Sequence, residues 1–119
     1  MKVLIAVTHL LGTGHLARAL TLAKAFVREG HDVVVLSGGR PAPHLDAEGV
    51  AVVQLPPLAS DGVDFTKLLT DLGVEADASY HAQRRAMMTG AVYESLGIYK
   101  GICHTLRHGP VVDLVPKRA

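Results

Sequence analysis

Two short apolar runs, residues 3–7 and 33–36, bracket one amphipathic stretch, and this arrangement constrains the fold more than any other feature of the chain. Neither run alternates polar with apolar residues, and both are rich in β-branched side chains. Unbroken runs of this kind suit strands of a parallel sheet covered on both faces. Residues 1–7 are therefore predicted as one strand and residues 32–36 as a second. Between them, Leu16, Leu20, Ala23 and Val27 recur at helical spacing, and Ala19 and Phe26 widen the stripe. Arg18, Lys24 and Arg28 fall largely off it. This pattern predicts a helix over about residues 15–29. Gly30 is a suitable stop, because glycine tolerates positive φ. Strand, helix and strand with short connections make a βαβ unit, whose crossover is right-handed and whose strands run parallel.

The pattern continues less clearly. A glycine-rich loop, Ser37-Gly38-Gly39-Arg40-Pro41, follows the second strand, and residues 43–48 are predicted as a short helical turn stopped by Gly49. Residues 50–55 read as a third strand, ended by Pro56-Pro57, since proline cannot donate to a ladder. Asp64 is placed to cap a short helix over 65–72, ending near Gly73. A longer helix is predicted over 76–95, with Ala78, Ala82, Met88, Ala91 and Val92 on its inner face and Gly90 weakening it. The expected fold class is α/β: a Rossmann-like partial domain with a mostly parallel three- or four-stranded sheet and flanking helices.

Composition sets bounds on this reading. The chain has 119 residues, of which 49% are hydrophobic, enough for one core and too few for two full domains. Residues 1–96 carry eight Lys/Arg against ten Asp/Glu, and residues 97–119 carry four against one. The expected organisation is thus a domain over 1–96 and a divergent basic tail over 97–119, in which 111–115 form a candidate edge strand. A net charge of +1 argues against a dedicated nucleic-acid binder. The single cysteine, Cys103, leaves no intramolecular disulfide framework and fits a reducing compartment. Cys103, His104 and His108 do not match a metal-site spacing, and no metal is expected. The apolar run at the N-terminus is shorter than a signal peptide requires, and no stretch approaches the roughly 18 apolar residues of a membrane span. The expected location is the cytoplasm, with peripheral contact at the inner membrane face as the form that membrane association would take.

The segment Gly12-Thr13-Gly14-His15 carries the chemistry. It lies between the first strand and first helix, at the carboxyl end of the sheet, where open α/β folds bind ligands. Glycines let a ligand approach the backbone, and a helix start offers free N–H groups to a phosphate or a developing oxyanion. A bare strand-to-helix turn is the alternative. Gly12-x-Gly14-x-x-Ala17 also satisfies a dinucleotide fingerprint, and Arg40 after the second strand would then meet the 2′-phosphate of NADP. Against this, Thr8 to Leu11 separate the first glycine from the strand, and no acidic residue ends strand two. His15 at the helix start is a candidate base, since the helix N-terminus favours neutral imidazole; a capping or merely polar histidine is the alternative. His9, in the same loop, either binds a substrate or orients His15; a solvated loop residue is the alternative. His31 reads as a turn residue, and His44 and His81 as surface residues. Arg84-Arg85 either contact a phosphate or are two solvated arginines on a helix.

The run MKVLIAVTHLLGTGHLARALTLAKAFVREGHDVVVLSGG resembles the start of GT-B glycosyltransferases. It is most similar to the family 28 type, which includes the enzyme that adds N-acetylglucosamine to the peptidoglycan lipid intermediate, and to predicted bacterial glycosyltransferases with segments like PHLD and QLPPLASDGVDFTKLL. Gly12, Thr13, Gly14, His15, Gly30 and His31 occupy the family's pattern positions, and the resemblance covers about residues 1–95. It implies the acceptor half of a metal-independent, inverting hexosyltransferase. His15 would be the catalytic base, and Gly12, Thr13, Gly14 and His9 would contact the acceptor, a lipid-linked or diphosphate-bearing molecule. No cofactor is implied; the nucleotide sugar is the donor substrate and belongs to a second domain absent from this sequence. The chain is therefore expected to be inactive alone. It departs from the family in length, and in Gly-Thr-Gly-His where some members have a doubled glycine. A truncated or frameshifted product, one subunit of a split enzyme with a separate donor subunit, and a complete non-catalytic binding domain all fit that departure. An NADP-binding Rossmann protein is the alternative outside the family.

Overall fold

A computed structural model describes residues 1–96; the expected tail, with its candidate strand over 111–115 and Cys103, His104 and His108, lies outside the described residues. The element order is β1 (Lys2–Val7), α1 (Gly14–Arg28), β2 (Asp32–Ser37), β3 (Ala51–Gln54) and α2 (Ala78–Leu96). The three strands form one parallel sheet in the order β1-β2-β3. Val3 pairs with Val33, Val7 with Ser37, and Ser37 with Gln54. The expected parallel α/β class is thus the observed one.

The unbroken strand runs are explained by cover on both sides. Val33 and Val35 face α1, where they pack with Leu16, Leu20 and Ala23, and with Val3, Ile5, Val7 and Phe26 beside them. The alternate residues Val34 and Leu36 face the other way, with Leu4, Val53, Leu55, Met88 and Ala91. Helix α1 ends as its sequence requires. Gly30 takes φ +87°, its N–H donates to the Val27 carbonyl at 3.0 Å, and the His31 N–H donates to the Phe26 carbonyl at 3.1 Å. These two bonds close the last turn through a left-handed glycine. Val27 departs from the predicted stripe: it is exposed, and Phe26 takes the core-facing place in the last turn.

Two predicted helical segments are not helical. Residues 43–48 form turns only, where Pro41 and Pro43 interrupt the chain and the Asp46 carboxylate accepts the Glu48 N–H at 2.9 Å. Residues 65–72 are also turns and bridges. There the Asp61 carboxylate captures the N–H groups of Val63 and Asp64, and Asp64 captures that of Thr66, a local bonding that competes with a helix. Leu69 is instead drawn into antiparallel bridges with Ala59 and Glu75.

Helix α2 exists close to its predicted span. Asp77 caps it, its carboxylate accepting the Tyr80 N–H at 2.8 Å. The inner face differs from the expected one in its first half. Ala78 and Ala82 are exposed, whereas Tyr80, Arg84, Met88 and Ala91 turn inward at helical spacing. No helix among the described residues is long and apolar enough to cross a membrane.

Candidate functional site

Parallel strands place their exits together. The loops after β1 and β2 meet at the carboxyl edge of the sheet, where the Gly38 N–H donates to the Val7 carbonyl at 2.8 Å. The chain after β3 then crosses this edge: the Leu58 N–H donates to the Gly38 carbonyl at 2.9 Å and the Ser60 N–H to the Leu10 carbonyl at 2.8 Å. These bonds hold the β1–α1 loop from two sides and leave its tip open.

At that tip lies a cavity of about 320 Å³ lined by Thr8, Leu10, Leu11, Gly12, His15 and Phe65. His15, in the first turn of α1, is exposed. The start of α1 is not neutralised by its own sequence. Thr13 is the N-cap residue but makes no side-chain capping bond, and the first turn holds no acidic residue. The first helical bond is the Ala17 N–H to the Thr13 carbonyl, which leaves the N–H groups of Gly14, His15 and Leu16 without a helical partner. A helix start of this kind carries partial positive charge.

Glycines 12 and 14 are not required by packing. A Cβ at either position would meet nothing within 4 Å, and neither has a left-handed backbone. Gly38 and Gly39 are the opposite case. A Cβ on Gly38 would collide with Thr8 Oγ1 and Arg84 Nη2, and one on Gly39 with the carbonyl and ring of His9. The loop after β2 is therefore glycine-rich because the β1 loop lies directly against it.

The sequence-derived site residues separate into two groups. Gly12 and His15 line the cavity, whereas His9, Thr13 and Gly14 are not among its lining residues. The Thr13 hydroxyl lies 3.4 Å from Nε2 of His44, on the far side toward residues 41–47. Gly14 opens the helix. His9 corrects the expectation of a solvated loop residue: it is 3% exposed, and its Nε2 lies 2.8 Å from the Arg40 carbonyl. Its Nδ1 is buried with no hydrogen-bond partner among the described residues. His9 thus ties the β1 loop to the β2 loop. His44 is exposed as expected, and His81 is half-buried.

Arg84 corrects another expectation. Arg85 is exposed, but Arg84 is half-buried and bonds to the sheet edge, its Nε donating to the Pro56 carbonyl at 2.7 Å. Burial holds its pKa below the ordinary arginine value. One turn earlier, the Tyr80 hydroxyl donates to the Pro57 carbonyl at 2.6 Å, and burial, with Asp71 nearby, pushes that phenol up. Sequence reasoning missed Thr8, Leu10, Leu11 and Phe65 as lining residues. Thr8 was detectable as the first polar residue after β1, whereas nothing local marks Phe65, which a turn delivers across the sheet edge.

A second, apolar depression of about 260 Å³ lies under residues 41–47, between α1 and β3, lined chiefly by Leu16, Leu20, Leu45 and Val52. Among the described residues no group of three His, Cys, Asp or Glu could hold a metal ion. Comparison of the chain with protein-family models, curated proteins and solved structures yields no match.

Proposed function

We propose that residues 1–96 are the acceptor-binding half of a hexosyltransferase, with His15 as the base that activates the acceptor hydroxyl. One observation carries the reading: an exposed imidazole stands at an uncapped helix start, on the rim of a cavity at the carboxyl end of a parallel sheet. The resemblance of the β1–α1–β2 run to GT-B enzymes supports the same assignment.

In the proposed reaction, an imidazole nitrogen of His15 takes the proton of the acceptor hydroxyl. The freed oxygen pair attacks the anomeric carbon of a nucleotide sugar. The glycosidic bond to the nucleoside diphosphate breaks, and the leaving group departs with the bonding pair, inverting that carbon. The unpartnered N–H groups of Gly14, His15 and Leu16 would stabilise negative charge beside the base. Gly12, with open space where a side chain would stand, lets the acceptor reach the loop backbone. A donor-binding half, on the same or another polypeptide, completes the cleft, in the cytoplasm or at the inner membrane face.

Calorimetric titration tests this reading. A water-soluble prenyl diphospho-sugar should bind the chain, while a UDP-hexose and NADPH should not. His15→Ala should leave affinity for the acceptor within a few-fold, because a base acts on the reacting proton more than on ground-state binding. Binding of NADPH that Arg40→Ala weakens would replace this reading with a dinucleotide one. Turnover of a nucleotide sugar by the chain alone, at rates typical of enzymes, would overturn the acceptor-half assignment.

A further inference from the structure

Arg84 meets no carboxylate among the described residues, although it is half-buried. A guanidinium carries five N–H donors in a fixed fork. Nε gives one to the Pro56 carbonyl at 2.7 Å, and Nη2 gives one to the Gly38 carbonyl at 3.2 Å. Nη1 makes no hydrogen bond among the described residues. A cation drawn out of water is costly unless an anion answers it, and two carbonyl dipoles answer it only in part.

Gly38 supplies the second observation. The spot its missing Cβ would fill is contested by both Thr8 Oγ1 and Arg84 Nη2. Hydroxyl and guanidinium therefore lie side by side against Gly38, at the carboxyl ends of the adjacent strands β1 and β2. Thr8 is exposed, and its hydroxyl makes no hydrogen bond among the described residues. Thr8 also lines the His15 cavity, so this one residue joins the pair to the cavity wall.

We infer that Arg84 and Thr8 form an anion subsite, beside the His15 cavity, for a phosphoryl group. The terminal oxygens of one phosphoryl group, or of two adjoining ones, can accept from Nη1, from the second Nη2 hydrogen and from the Thr8 hydroxyl, and they bring the negative charge that the guanidinium lacks. Charge-assisted bonds from an arginine fork are the strong ones, and lysine cannot reproduce their geometry. The subsite holds for any phosphorylated ligand the cavity admits, so it does not depend on sugar transfer.

Inorganic pyrophosphate and orthophosphate are suitable probes, titrated into the full chain at low ionic strength. Binding is followed through the arginine Nε–Hε and backbone amide resonances. Saturable binding should move the Arg84 Nε–Hε signal and the amides of Thr8 and Gly38. Thr8→Val should weaken it about tenfold, the value of a hydrogen bond to a charged group. Arg84→Gln should weaken it more, and His15→Ala should leave it within about twofold, since His15 supplies none of the three donors. Arg84 also ties α2 to the sheet edge, so Thr8→Val, which alters only an exposed hydroxyl, keeps the test decisive if Arg84→Gln does not fold. No saturable binding, binding that Thr8→Val leaves unchanged, or a response confined to the amides of residues 14–16 would each overturn the subsite. If pyrophosphate fails but the prenyl diphospho-sugar binds, the subsite is wrong and the acceptor reading stands. If pyrophosphate binds as described and the acceptor does not, the reverse holds.

Discussion

The two faces of the sheet are held by different physics. On the α1 face, Leu16, Leu20, Ala23, Val33 and Val35 make a continuous apolar contact, and Ala23 and Val35 are fully buried. On the α2 face, apolar packing begins only at Met88, Ala91 and Val92, while the first half of the helix is anchored by Tyr80 and Arg84 to backbone carbonyls of Pro57, Pro56 and Gly38. Burial of apolar area resists single changes in rough proportion to area, whereas a polar anchor depends on one or two bonds. The α1 face is thus the scaffold. The α2 face sets where a few polar groups stand relative to the β1 and β2 loops, and the candidate site lies where the two meet.

The largest test of this contrast is Leu20→Ala, which should cost about 3 kcal/mol by removing buried methyl groups from the scaffold. Met88→Ala, at a half-buried position, should cost clearly less. Urea denaturation compares them, and equal losses would remove the distinction between the faces. Next is Gly38→Ala, whose Cβ collides with Thr8 and Arg84; about 2 kcal/mol is expected from overpacking. Gly12→Ala should change stability by less than about 0.5 kcal/mol, because its Cβ meets open space, yet it should weaken acceptor binding. Loss of folding in Gly12→Ala would show that the glycine serves the fold instead of a ligand.

How much of this was legible in the sequence follows the same division. The β1–α1–β2 run could be read closely because each of its signals, apolar strands, a helical stripe and a terminal glycine, is local and points to one answer. The segment after β3 could not, because Asp61 and Asp64 bind neighbouring N–H groups and Leu69 pairs with residues distant in sequence. His15 and Gly12 were visible as a helix-start motif. The burial of His9 was not, because it depends on contact between two loops that only strand pairing brings together.

Smaller effects sharpen the comparison. Tyr80→Phe should cost about 1 kcal/mol, the net worth of its bond to the Pro57 carbonyl, and should speed hydrogen exchange in the first turns of α2 while leaving α1 unchanged. Exchange that quickens equally in both helices would mean the faces unfold as one unit. The smallest effect concerns Asp46. The Glu48 N–H, and then Lys24 at 3.0 Å, hold its carboxyl below the usual carboxylate range. A depressed acid stabilises the fold above its unfolded pKa, and this contribution is lost as pH falls through the folded value. The difference in Tm between the native chain and Asp46→Asn should therefore be small at neutral pH and vanish in acid, as pH falls through the lowered folded value. A difference that persists in acid would assign the effect to something other than the charge.

The most direct test of the central claim is a map of amide chemical-shift changes in the 15N-labelled chain on adding the water-soluble prenyl diphospho-sugar. The largest changes should fall on Thr8 to Leu16 and on Phe65, with the His15 ring resonances moving in step. Changes centred instead on residues 41–47 and Val52, beneath which the apolar depression lies, or no saturable change at all, would contradict a binding site at the β1–α1 loop.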